Sequence, residues 1–95
     1  MNLVTNQQQQ LSLLHTFSVA ARHLSFTQAA EELFITQSGV SQRIKKLEIQ
    51  LQFNLFIRKT RKLELTPEGQ RVLSVLISWQ QFIHHSKVIW PLVSR

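Results

Sequence analysis

Ser25 and Thr36 stand eleven residues apart, and each opens a segment with helical patterning. Ser25-Phe26-Thr27-Gln28 has the form of a capping box, in which the serine hydroxyl accepts from the Gln28 amide and the Gln28 side chain returns the bond. A short helix over 26–34 follows, with Ala29, Ala30 and Leu33 facing inward. The alanines matter because small side chains let another helix cross closely. Ile35 and Thr36 then interrupt the pattern, and Thr36 is a natural N-cap for a further helix over 37–51. Two helices with so short a turn between them must cross steeply, which narrows the fold before composition is considered.

The helix over 37–51 carries Val40, Ile44, Leu47 and Leu51 at i, i+4, i+7 and i+11, an apolar seam along one side. The opposite side presents Ser38, Gln42 and Lys45, flanked by Ser41 and Lys46. Ile49 falls on that outward side and is expected to contact the segment that follows. Upstream, Leu11, Leu14, Phe17, Ala21 and Leu24 recur at helical spacing and predict a first helix over 7–22 buried along that stripe. Asn6 is its expected cap, with Gln9 reaching back.

After Gln52 the period changes. Leu55-Phe56-Ile57-Arg58 and Leu63-Glu64-Leu65 read as two short strands, with the basic tip Lys59-Thr60-Arg61-Lys62 between them. The tip has no Gly or Asn, which leaves its turn type open. Thr66-Pro67-Glu68 marks a last helix by a threonine cap, a proline at the first position and an acid in the first turn. That helix is expected over 67–90, ended by Pro91. Val72, Leu76, Trp79, Ile83 and Trp90 line one side of it, while further apolar residues spread around the rest. So apolar a helix exceeds what a small core covers, and a partner chain is expected to bury part of it.

Ninety-five residues suit one domain with a single core, and a hydrophobic content of 43% is that of a globular chain. No apolar run approaches the roughly 18 residues of a membrane span. Cysteine is absent, which removes disulfides and thiolate metal sites and fits a cytoplasmic setting. Eleven Lys and Arg oppose five Asp and Glu, for a formal net charge of +6. Arg43, Lys45, Lys46, Arg58, Lys59, Arg61 and Lys62 crowd into a stretch whose only acid is Glu48. Such a cluster suits a polyanion, since each cation that neutralises a phosphate releases a condensed counterion. A solvated basic face or an anionic membrane surface fits the charge alone. A membrane helix, however, would turn large apolar residues outward where this chain places Ser38, Gln42 and Lys45.

The layout predicted is mainly α: a winged helix-turn-helix, with a three-helix core and a small hairpin wing, followed by a long helix. In such a fold the helix over 26–34 braces the next one so that its N-terminal end enters the major groove. The stretch Ala20-Ala21-Arg22-His23-Leu24-Ser25-Phe26-Thr27-Gln28-Ala29-Ala30-Glu31-Glu32-Leu33 resembles the first half of the DNA-binding motif of LysR-type transcriptional regulators. Ile35-Thr36-Gln37-Ser38-Gly39-Val40-Ser41-Gln42-Arg43-Ile44-Lys45-Lys46-Leu47-Glu48 is similar to that family's recognition helix. Leu55-Phe56-Ile57-Arg58 and Leu65-Thr66-Pro67-Glu68-Gly69 are similar to its wing and the start of its linker helix. The resemblance runs in register over about 11–75, and the stretch over 20–27 also resembles the subgroup of the glycine-cleavage activator.

The resemblance implies a DNA-binding domain over 1–66 and a linker or dimerisation helix over 67–95. It also implies a homodimer on a partly palindromic duplex, a tetramer being a further option for a full-length protein. An effector-binding domain has no counterpart in this sequence, so the chain is expected to be one domain of a longer protein, or else a naturally short antagonist that pairs with a full-length relative. Many relatives carry Pro at Ser38 and Ser-Arg-Gln where Ser41-Gln42-Arg43 stands here, so base preference is expected to differ.

Gln37, Ser38, Ser41 and Gln42 are the candidate base readers, because an outward glutamine can pair bidentately with adenine. Thr27 and Gln28, at a helix N-terminus, suit a phosphate and serve equally as cap residues. Arg43, Lys45 and Lys46 are placed on the backbone, Arg58 and Lys59 in the wing resemble the family's minor-groove or backbone contacts, and Arg61 and Lys62 act as steering charges. Val72, Leu76, Trp79, Ile83 and Trp90 form the candidate dimer interface. His15, His23, His84 and His85 lack metal-ligand spacing and read as packing or surface residues. No nucleophile–base pair or phosphate loop stands out, so neither catalysis nor a cofactor is expected. A winged-helix module that binds only protein remains the competing reading.

Overall fold

In a computed structural model, which describes residues 3–85 and side-chain exposure over 9–79, the chain forms four helices and one hairpin. In order these are α1 (Leu3–His23), α2 (Phe26–Leu33), α3 (Gln37–Leu51), β1 (Phe56–Lys59), β2 (Lys62–Leu65) and α4 (Pro67–His85). Helices α1, α2 and α3 pack on one another, and the two-stranded antiparallel sheet and α4 close the open side.

The expected start of the first helix at residue 7 is corrected: α1 begins at Leu3, so Asn6 lies within the helix and does not cap it. Asn6 costs only a fraction of a kcal/mol inside a helix, roughly 0.7 at most, and the helix-forming glutamines that follow offset it. The buried stripe also shifts. Leu13, Thr16, Phe17, Ala20 and Ala21 are buried, while Leu11 and Leu24 are 49% and 47% exposed. Thr16 fits this apolar setting because its hydroxyl donates to the Ser12 carbonyl at 2.9 Å, leaving only its methyl to pack. Ala20 joins Ala29 and Ala30 at the helix crossing, where small side chains allow the approach that larger ones would block.

Helix α2 starts as expected, with the Gln28 amide donating to Ser25 Oγ at 3.1 Å. Its end falls one residue earlier than expected. Phe34 takes left-handed dihedrals (φ 57°, ψ 41°), its N–H directed at the Glu31 carbonyl while that of Ile35 reaches the Ala30 carbonyl. This is the Schellman arrangement, usually built on glycine. Phe34 occupies it with its ring 93% exposed.

Helix α3 has the predicted seam. Val40, Ile44 and Leu47 are fully buried and Leu51 is half-buried, each buried side chain contributing about 1.5–3 kcal/mol. Thr36 Oγ1 caps the helix by accepting from the Gly39 amide at 2.9 Å. At the far end Gln52 is left-handed (φ 65°) and returns its N–H to the Glu48 carbonyl. Ile49 does not pack against the wing but stays 68% exposed.

The hairpin pairs Phe56 with Leu65 and Lys59 with Lys62, so the tip is the two residues Thr60-Arg61 and not the four expected. Neither has positive φ, so the turn is not of a primed type. Phe56 anchors the wing, its ring 5.5 Å from that of Phe17 and 5.4 Å from that of Phe26, edge-on to the latter. Thr66 then caps α4, accepting from the Gly69 amide at 2.9 Å and donating to the Asn54 carbonyl at 2.6 Å.

Candidate nucleic-acid interface

Burial of Val40, Ile44 and Leu47 determines which side of α3 is free. With that seam in the core, Ser38, Gln42, Lys45 and Lys46 are exposed, Gln37 is exposed at the first position, and Ser41 is half-buried at the edge. The first two turns therefore present amide and hydroxyl groups, and cations follow one turn later. Ser38 Oγ lies 3.2 Å from Thr36 Oγ1, so the cap and the first outward hydroxyl share a hydrogen bond.

Arg43 is half-buried, and its Nη1 reaches Thr16 Oγ1 at 3.4 Å. Its stem lies along the α1–α3 junction, nearer the core than the outward strip. Thr27 and Gln28 are exposed at the start of α2. The Gln28 side chain makes no return bond to Ser25 among the described residues, so half of the predicted capping box forms and the Gln28 amide group stays available.

The wing sorts its cations by strand alternation. Lys59 Nζ lies 3.2 Å from one oxygen of Glu64, and Lys62 Nζ lies 3.3 Å from the other. Hydrogen bonds from Lys59 first and Lys62 second hold the Glu64 carboxyl below its ordinary value. Arg58 points the other way, toward the N-terminus of α2, with its guanidinium carbon 5.1 Å from the centroid of the Phe26 ring. The structure thus brings Arg58 beside Phe26, the neighbour of Thr27, and leaves Lys59 engaged within the hairpin.

Glu48, the lone acid of the basic stretch, positions the wing. One of its carboxylate oxygens accepts from the Leu55 amide at 2.7 Å and from the Phe56 amide at 3.4 Å. The Leu55 carbonyl in turn accepts from the Thr66 amide at 3.0 Å. Leu55, fully buried, is therefore tied to α3 on one side and to the cap of α4 on the other. Sequence reasoning assigned Glu48 no part, although an isolated acid among cations was the available signal.

Val72 and Leu76, expected at a dimer interface, are half-buried and pack with Leu73 against the domain's own core. They lie on the side of α4 that carries the buried Gly69. Among the described side chains of α4, the exposed large apolar ones are Val75 (66%), Trp79 (52%) and, on the other flank, Ile77 (46%). The side chain of Ile83 and the whole of Trp90 lie outside the described residues. His15 is exposed, whereas His23 Nε2 meets a Glu32 oxygen at 2.8 Å and Arg22 binds the other oxygen, joining α1 to α2. Hydrogen bonds from His23 and then Arg22 lower the Glu32 carboxyl below its ordinary value. No described helix is long and apolar enough to cross a membrane.

Comparison with known proteins agrees with this geometry. The profile of the family described as bacterial regulatory helix-turn-helix protein, lysR family, matches residues 11–70. The HTH-type transcriptional regulator DsdC of Escherichia coli (strain K12) is 58% identical over 69 residues, which cover 73% of this chain and 22% of that protein. The glycine cleavage system transcriptional activator of the same organism is 60% identical over 60 residues, covering 63% of this chain and 20% of that protein. The chain thus spans about a fifth of the length of these curated relatives. Among solved structures, that of the BenM_DBD/catB site 1 DNA complex is 34% identical with a TM-score of 0.65, covering 83% of this chain and 93% of that one. With the family profile running from α1 through the wing into the start of α4, the chain belongs to the lysR family of bacterial regulatory helix-turn-helix proteins.

Proposed function

We propose that this chain is the sequence-specific DNA-binding domain of a LysR-type transcriptional regulator. The observation that carries the reading is the outward strip of α3, with Gln37, Ser38 and Gln42 exposed on a helix held by three buried side chains. Short hydrogen-bonding groups on a rigid helix end can approach base edges in a major groove. The solved neighbour described as a DNA complex supports the same use of the fold. Gln37, Ser38, Ser41 and Gln42 read bases, while Thr27, Gln28, Arg43, Lys45, Lys46 and Arg58 engage the backbone or the flanking groove and Lys59 is restrained by Glu64.

The domain over 1–66 acts as a homodimer on a partly palindromic site, paired through the helix that starts at Pro67. The chain recognises DNA without catalysing a reaction, and it works in the cytoplasm. A mobility-shift titration tests the reading, using a duplex selected from a randomised pool and a scrambled duplex, each at two salt concentrations. Preference for the selected duplex with a negative salt slope is expected. Equal affinity for both would defeat the claim of specificity, and absence of any salt slope would favour a protein-binding module.

A further inference from the structure

Among the wing cations, Arg58 has a distinct setting. Lys59 and Lys62 are held by the Glu64 carboxylate, whereas Arg58 lies over the Phe26 ring, 5.1 Å from its centroid. That ring is itself fixed. It meets Phe56 edge-on at 5.4 Å and 88°, and Phe56 in turn packs on the fully buried Phe17. A chain of three aromatic rings therefore runs from the centre of the core to the guanidinium of an exposed wing arginine.

Resting on the DNA-binding function proposed above, we infer that Phe26 is a positioning residue for recognition, its ring holding the Arg58 guanidinium in the orientation that meets the duplex. The chemistry distinguishes this contact from an ion pair. A carboxylate occupies guanidinium N–H donors, as Glu64 occupies the ammonium groups of its two lysines. An aromatic face attracts the cation through the ring quadrupole and leaves the in-plane donors free. Arg58 is thus restrained beside the ring without an ion pair or hydrogen bond among the described residues, and its N–H groups stay available to phosphate or base acceptors. Restraint before binding lowers the entropy lost on ordering a long side chain at an interface.

The test compares Phe26→Leu, which keeps apolar bulk against Phe56, with Phe26→Tyr, which keeps the ring. Both are made in the wild-type and Arg58→Ala backgrounds. On the duplex selected by the wild type from a randomised pool, Phe26→Leu weakens binding roughly two- to five-fold, the range of an exposed cation–π contact, and Phe26→Tyr binds like wild type. In the Arg58→Ala background Phe26→Leu has no further effect. In the free protein, Arg58 side-chain NMR resonances are displaced by the ring current in the wild type and in Phe26→Tyr, and return to ordinary positions in Phe26→Leu. An equal loss in both backgrounds, or undisplaced Arg58 resonances in the wild type, overturns the inference. A wild type that prefers no duplex defeats the DNA-binding function and this role with it. A discriminating wild type matched in affinity by Phe26→Leu defeats the role of Phe26 alone.

Discussion

The Glu48 carboxylate accepts the Leu55 amide at 2.7 Å, so the recognition helix candidate and the wing share a charge-assisted hydrogen bond. The bond spans the left-handed turn at Gln52 and fixes where the chain enters the hairpin. Removing the acceptor leaves a buried residue's amide without its partner, at a cost of about 1–3 kcal/mol. Glu48→Ala is expected to lower stability by that amount in urea denaturation, with Glu48→Gln losing less. Hydrogen exchange at the Leu55 amide is the sharper measurement. Unchanged protection there in Glu48→Ala would show that the bond does not hold the wing.

Gly69 meets the same Leu55 from the other side. A Cβ at Gly69 would overlap the Leu55 carbonyl oxygen and lie 3.1 Å from a Leu65 methyl carbon. The obstacle is backbone, which cannot swing aside, so Gly69→Ala has to push α4 away from the hairpin. A loss of about 1–3 kcal/mol is expected, within the usual range for overpacking. Thermal unfolding of the variant measures it. A gain instead, of the size expected for glycine to alanine in an open helix, would show that α4 sits farther from Leu55.

Much of this architecture can be read along the chain because short-range rules govern it. Ser25, Thr36 and Thr66 each cap the helix that follows, with the bonded amide three residues on. Val40, Ile44 and Leu47 repeat with the helical period, and all three are buried. The face of α1 is only half legible: Phe17 and Ala21 are buried as their spacing predicts, whereas Leu11 and Leu24 are exposed and Thr16 and Ala20 take their place in the core. A threonine that satisfies its own hydroxyl packs like valine, and an alanine marks a helix crossing. Glu48 and Arg58 act through contacts with Leu55 and Phe26 that only the folded chain creates, and the isolation of Glu48 among cations marks the residue without naming its partner. Phe34 is a different case: left-handed dihedrals favour glycine, and nothing in the residue itself signals that the chain reverses there. The outward strip from Gln37 to Gln42 follows from the seam by geometry.

Glu64 restrains the wing cations, and its titration has a definite sign. Its carboxyl value is lowered in the folded state by hydrogen bonds from Lys59 and then Lys62. The contribution to stability is therefore fully present above the unfolded carboxylate value and lost as pH falls through the lowered folded one. At neutral pH both lysines are engaged. Glu64→Gln releases them, and each lysine that reaches a phosphate steepens the logarithmic salt slope by about 0.9. Tighter binding to a scrambled duplex and a slope steeper by up to about two units are expected. A slope equal to that of the wild type would mean that the lysines already reach the DNA with Glu64 in place.

The two sides of α4 give the assembly prediction its discriminating power. Val72 and Leu76 face the domain's own core, so a charge at Val72 should unfold the domain whatever its oligomeric state. Val75 and Trp79 lie four residues apart on an exposed strip, which a second chain can cover. Burying a large aromatic removes roughly 150–250 Å² from water, enough for a few such residues to drive pairing. Trp79→Glu is therefore expected to leave helicity and the thermal midpoint of the isolated domain nearly intact while shifting sedimentation from dimer to monomer. Affinity for a two-half-site duplex falls with it, and affinity for a single half-site does not. If Trp79→Glu unfolds the domain as Val72→Glu does, the strip belongs to the fold and not to a dimer. If the wild type sediments as a monomer at high concentration, pairing through this helix is wrong.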